Sequence, residues 1–108
     1  MREYKLYLLD IENAIGKIQE YVKDLDFDAF KADSKTFDSV LYNIQVIGEA
    51  ANKMPGEIRE KHTAIDWRGI IGMRNVIVHG YFAVEPDTVW KTVRESLPIL
   101  LEQILEIR

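Results

Sequence analysis

The sequence predicts an all-α fold, an up-and-down bundle of four or five helices with residues 1–108 as one domain. Two observations carry that expectation. Apolar residues return at alternating steps of three and four over long stretches, the spacing that gathers side chains on one stripe of a helix. Capping residues, Pro and Gly fall between those stretches.

The first stripe is Tyr4, Leu8, Ile11, Ile15, Ile18, Val22 and Leu25, which predicts a helix over about residues 2–24. Its regularity fits shallow-angle packing on another long helix. A turn-rich acidic stretch, Asp24-Leu25-Asp26-Phe27-Asp28, follows. Alternating aspartates resemble the opening of a calcium loop, but the position that needs Gly is Ala29 and the one that needs Glu is Lys35, so calcium is not expected. Asp33 and Ser34 offer caps for a second helix over about residues 35–53, with Phe37, Val40, Leu41, Ile44, Ile47, Ala51 and Met54 on its apolar face. Gly48, Ala50 and Ala51 give this helix a small-residue patch that allows close approach by a neighbour, and Pro55-Gly56 stops it.

A short turn or helical stretch spans about residues 55–62. Asp66 is placed to cap a helix that begins at Trp67 and runs through Ile70, Ile71, Arg74 and Ile77 until Gly80 weakens it. The β-branched run Val76-Ile77-Val78 by itself also reads as a strand. Glu85-Pro86-Asp87 opens the last helical element, with Pro86 suited to the first turn. Its apolar face is Val89, Trp90, Val93, Leu97, Leu100, Leu101, Ile104 and Leu105. Pro98 inside that pattern predicts a kink, or two helices sharing one face.

Composition narrows the function. The chain has no cysteine, which removes disulfides and thiolate metal sites and fits a reducing, cytoplasmic compartment. Met1-Arg2-Glu3-Tyr4-Lys5 alternates charged with apolar residues, unlike a signal peptide, and nothing approaches the ~20 apolar residues of a membrane span. His62 and His79 are too few and too distant for a metal site, and no cofactor is expected. A formal charge of -4 argues against a general nucleic-acid coat protein, which needs clustered cations. The charge is uneven, however: Lys53, Arg59, Lys61, Arg68 and Arg74 against Glu57, Glu60 and Asp66 leave residues 53–80 at +2.

Reactive groups gather in that same region, as Arg74-Asn75-Val76-Ile77-Val78-His79-Gly80-Tyr81. On an ideal helix Arg74 and Tyr81 point within about 20° of each other, whereas Arg74 and His79 diverge by about 140°. Loosening near Gly80, or a twofold partner across a cleft, is needed to bring Arg and His to one phosphate. The residue types suit RNA cleavage without metal: an imidazole of pKa ~6.5 accepts the 2′-OH proton or protonates the leaving oxygen, and the planar Arg fork holds phosphate. In a C2 dimer two His79 side chains act as base and acid. The bland alternatives are a solvated or ion-paired Arg74, a His79 favoured by the helix macrodipole, a surface amide at Asn75 and a core-edge aromatic at Tyr81.

Arg-x4-His-x-Tyr, led in by Trp67-Arg68-Gly69-Ile70-Ile71-Gly72-Met73 and followed by Phe82, resembles the signature of HepT-like proteins of the HEPN type. Ile47-Gly48-Glu49-Ala50, Val89-Trp90 and Leu97-Pro98 extend the resemblance over nearly the whole chain. The resemblance implies a metal-independent endoribonuclease toxin, a homodimer with its motifs facing a shared cleft. It implies Arg74 and His79 at the catalytic positions, Asn75 as their supporting neighbour, and transfer or messenger RNA as substrate. It also implies a cognate antitoxin resembling the minimal nucleotidyltransferase MntA, which transfers AMP to Tyr81 and so adds phosphate and bulk beside Arg74. The alternative is a non-catalytic HEPN module that docks a nucleotidyltransferase or binds nucleotide, which the acidic charge fits; a third is a purely structural dimer. Glu49 is expected either to help the site or to be solvated or ion-paired, His62 to be surface, and Trp67 and Trp90 to be core or dimer-interface aromatics.

Overall fold

The computed structural model describes residues 2–107, without the side chain of Phe82; Met1 and the Phe82 position of the motif lie outside the described side chains. Among the described residues the regular structure is helical: α1 Tyr4–Tyr21, α2 Phe27–Ala32, α3 Ser34–Lys53, α4 Gly56–Lys61, α5 Trp67–His79, α6 Pro86–Lys91 and α7 Leu97–Ile107. A single 3-10 turn, Tyr81–Ala83, follows α5, and a π-turn, Thr92–Ser96, joins α6 to α7. The all-α expectation holds, and the Val76-Ile77-Val78 run is helical to its end.

Each long helix buries the stripe its spacing defines. Leu8, Ile11, Ile15, Ile18 and Val22 of the first segment meet Val40, Leu41, Ile44, Ile47 and Ala51 of α3 and Val89, Val93, Leu97, Leu100 and Ile104 of the last in one continuous core. Leu105, read as part of the last stripe, is instead exposed at the far end of α7. The central element is α3, which packs against α1 along one side and α5 along another, while α7 leans on α1. No helix among the described residues is long and apolar enough to cross a membrane.

Two local departures have clear causes. The acidic stretch after α1 does not stay a turn: Asp26 accepts a hydrogen bond from the Ala29 amide at 2.8 Å and starts α2. The short helix persists because Phe30 is fully buried, its ring 4.9 Å from Trp90 and 5.6 Å from Phe37, and Phe27 lies 6.4 Å from Trp90. Trp90 is thus a core-edge aromatic, and Trp67 is buried with its indole N–H donated to the His62 carbonyl at 3.0 Å.

Pro98 divides the last element, as its place in the pattern predicts, but through a π-turn and not a break: α6 and α7 share one buried face of Val89, Val93, Leu97, Leu100 and Ile104. Proline cannot donate to the carbonyl one turn back and its ring collides with that carbonyl. The chain answers by widening the preceding turn, so that the Leu97 amide reaches Thr92 O and the backbone stays in the right-handed helical region throughout.

The caps read from the sequence are made. Asp33 accepts from the Thr36 amide at 3.1 Å and Asp66 from the Gly69 amide at 3.0 Å. Replacing the cap that launches α5, Asp66→Ala, is expected to cost about 0.5–2 kcal/mol. A urea midpoint that falls with unchanged slope will show it, and an unchanged midpoint counts against the cap.

Candidate active site

The close approach of α5 to α3 is set by Gly48. A Cβ at that position would lie 2.1 Å from Arg74 Cβ, 2.7 Å from Arg74 Cγ and 3.3 Å from the Ile70 carbonyl oxygen. Glycine therefore leaves the space that the stem of Arg74 fills. The guanidinium then reaches the next residue of α3: Nη2 forms an ion pair with Glu49 Oε1. Nη1 donates to Asn75 Oδ1 at 2.9 Å, so the side chain is held from two helices and is only 22% exposed. Its Nε is buried without a hydrogen-bond partner among the described residues, a donor kept dry on one edge of the fork.

His79 occupies the last turn of the same helix, where the macrodipole favours a cation. Because α5 stays regular through His79, the divergence of about 140° from Arg74 stands, and loosening begins only at Gly80. Arg68, Asn75, Val76 and His79 are exposed on the outer side of α5, whereas Ile77 is buried and Ile70 and Arg74 are partly buried. Within one chain the structure brings Arg74, Asn75 and Glu49 together, while His79 stands one turn beyond Asn75 on the outer side of α5.

Tyr81 returns to α3 by a different route. The Gly80 amide closes onto the Val76 carbonyl at 2.7 Å and ends α5; the following 3-10 turn then carries the Tyr81 ring back. Its hydroxyl donates to Asp38 Oδ1 at 2.6 Å, while the residue remains 44% exposed. Arg74 and Tyr81 thus both meet α3, as their shared direction predicts, although Tyr81 gets there from outside the helix. The hydrogen bond to the Asp38 carboxylate holds the phenol pKa above its ordinary 10.0, reinforced by partial desolvation and by the negative charge of Asp38.

The folded chain raises this pKa, so the stabilisation from the pair is fully present below pH 10.0 and is lost as pH rises through the folded value. Asp38→Asn is expected to move the Tyr81 titration down toward 10.0, followed by NMR of ring-labelled tyrosine. Identical titration of Tyr81 in both proteins means the pair does not form in solution.

Asp38 was not legible as a site residue, since it pairs with a tyrosine 43 positions away. One signal was available: Asp38 and Glu49 are eleven residues apart, about 20° on a helix, and therefore share a face of α3. Among the described residues no three His, Cys, Asp or Glu side chains cluster as metal ligands, and Asp26 is occupied as a cap.

The sequence profile of the ribonuclease HepT-like family matches residues 11–107. The chain belongs to the HepT-like family. This HepT-like chain is 36% identical over 107 residues to a Thermococcus cleftensis protein named a probable ribonuclease HepT, the match covering 99% of the chain and 97% of the relative. A Caldanaerobacter subterraneus protein provisionally named an RNase is 34% identical over 107 residues, with 99% and 96% covered. A longer Methanocaldococcus jannaschii protein, whose name joins a gamma-glutamylcyclotransferase to a provisional RNase, is 37% identical over 106 residues. That match takes in 98% of the HepT-like chain and 48% of the relative. No solved structure matches.

Proposed function

We propose that this HepT-like chain is a metal-independent endoribonuclease toxin that works as a homodimer. Arg74 holds the scissile phosphate, with Asn75 steadying its fork, and His79 moves protons. One observation carries the reading: a guanidinium held by Glu49 and Asn75, with its Nε buried, and an exposed imidazole project about 140° apart from one regular helix. A single copy supplies one imidazole; two copies facing across a twofold axis bring base and acid to one phosphate. Val76 and Val78, 54% and 41% exposed beside His79, supply apolar surface for such a contact.

The chemistry balances with protein groups alone. One His79 accepts the proton of the ribose 2′-OH as that oxygen bonds to phosphorus, while the partner copy's imidazolium protonates the 5′-oxygen as the P–O bond breaks. The products are a 2′,3′-cyclic phosphate and a free 5′-OH, on transfer or messenger RNA. Arg74 stabilises charge on the non-bridging oxygens, and it needs Glu49 to yield part of its hold when RNA arrives.

A nucleotidyltransferase antitoxin resembling MntA switches this activity off by transferring AMP from ATP to Tyr81: the phenol oxygen bonds to the α-phosphorus, pyrophosphate leaves, and the phenol proton passes to a base. The exposed hydroxyl and its Asp38 partner support that assignment. A second reading, a non-catalytic module that docks a nucleotidyltransferase, draws support from Arg74 already being neutralised by Glu49.

Purified chain incubated with RNA in the presence of chelator separates the two. Fragments ending in 2′,3′-cyclic phosphate are the expected result; intact RNA together with a stoichiometric transferase complex overturns the ribonuclease reading. Co-expression with the transferase is expected to add AMP mass to the Tyr81 peptide.

A further inference from the structure

Beyond the Arg74–Glu49 pair lies a hollow of about 300 Å³ between α1 and α3, lined among others by Arg2, Tyr7, Tyr42, Gln45, Glu49 and Lys53. We propose that this hollow is the nucleoside subsite of the ribonuclease, holding the base and outer phosphate of the nucleotide next to the one Arg74 grips. The inference rests on the ribonuclease reading and adds to it the residues that choose where RNA is cut.

Four features fit a single unpaired nucleotide. Tyr42 is 66% exposed, a flat ring standing in water where a base can stack. The Gln45 amide is half-buried and has no hydrogen-bond partner among the described residues, so its donor and acceptor are both available to a base edge. Lys53 is exposed and likewise without an ion-pair partner among the described residues, a cation placed for phosphate. Arg2 lies over the Tyr7 ring at 5.0 Å and pairs with Asp10, which places a cation on the far wall of the hollow. Glu49 belongs both to this hollow and to the Arg74 pair, so the hollow adjoins the group that Arg74 is paired with.

The volume stands at the lower end for small-ligand sites and suits one nucleoside, not a duplex. A second copy of the chain is the poorer occupant. Interface centres are depleted in charge, and this hollow carries Arg2, Asp10, Glu49 and Lys53. Val76 offers a second copy apolar surface outside the hollow, while Val78 shares a neighbouring depression with Tyr42 and Gln45, which is why the oligomeric state belongs in the test.

The test is cleavage of a random single-stranded RNA pool, with the cut ends sequenced. Tyr42→Ala is expected to lower kcat/KM about ten- to hundredfold, the range for losing one stacked base, with Tyr42→Phe retaining activity because stacking needs the ring alone. Gln45→Ala is expected to flatten the base preference beside the cut. Tyr21→Ala, an exposed tyrosine that does not line the hollow, is the control expected to match the wild type.

Wild-type cleavage that Tyr42→Ala and Gln45→Ala reproduce in rate and preference overturns the subsite. So does Tyr42→Ala turning a dimer into a monomer in sedimentation, since the face then belongs to the second copy. If the wild type cuts no RNA, the ribonuclease reading fails on its own. Binding of 2′-O-methyl RNA then decides the hollow: about tenfold weaker binding by Tyr42→Ala sustains it, and equal binding removes it.

Discussion

Arg74→Ala and His79→Ala are each expected to slow RNA cleavage by about two to four orders of magnitude, the range for losing a positioned proton-transfer group or a charge-stabilising donor. Both variants should fold. His79 is exposed, and Arg74→Ala releases Glu49, which is itself 38% exposed and able to take water in place of the guanidinium. Arg74→Lys should not rescue, because an ammonium cannot keep Asn75, Glu49 and a phosphate on separate edges as the planar fork does.

The geometry makes a sharper demand. Because base and acid come one from each copy, a hybrid dimer of wild type and His79→Ala, with a single imidazole, should be as inactive as the His79→Ala dimer. An equal mixture of wild type and His79→Ala with freely exchanging subunits should therefore give about a quarter of the rate of an all-wild-type sample, the share of dimers that hold both imidazoles. A rate of about one half would falsify the shared pair of imidazoles.

Gly48→Ala is the second large effect. The added methyl would lie 2.1 Å from Arg74 Cβ, next to the α5 backbone and not at the pliable end of a side chain, so the helices must part. Overpacking of that kind costs about 1–3 kcal/mol and outweighs the gain of at most ~1 kcal/mol from better helix propensity. Thermal midpoint should fall by several degrees, and RNA cleavage should fall with it as Arg74 loses its seat. Gly16→Ala supplies the comparison: nothing lies within 4 Å of its added Cβ, so only the propensity gain remains and the midpoint should hold or rise. Equal behaviour of the two variants would mean that the close α3 to α5 contact does not form.

What the sequence told was whatever periodicity encodes. The stripes of α1, α3 and the α6–α7 element were legible because a helix must bury one face, and Leu8, Ile44 or Ile104 can do so only at those spacings. The α2 segment was not legible, since its aspartates read as turn and its stability comes from Phe30 docking on Trp90, sixty residues along the chain. Gly48 and its small neighbours marked a close contact without saying which helix came near. At the candidate site the motif named Arg74, Asn75, His79 and Tyr81, but Asp38 entered only through a contact between distant segments. Glu49 was open between solvated and paired until α5 was placed against α3.

The widened turn before Pro98 has one further effect. Val89, Val93 and Leu97 follow each other at intervals of four, which in an ordinary α-helix drifts by about 40° per step. A coil with more residues per circuit absorbs that drift, and all three side chains point inward with Leu100 and Ile104 beyond them. The segment in effect carries one surplus residue, so a relative lacking a residue between 92 and 96 could keep the downstream half in phase. Length variation in this family should therefore be tolerated in the middle of its most regular-looking helix as well as at the loops.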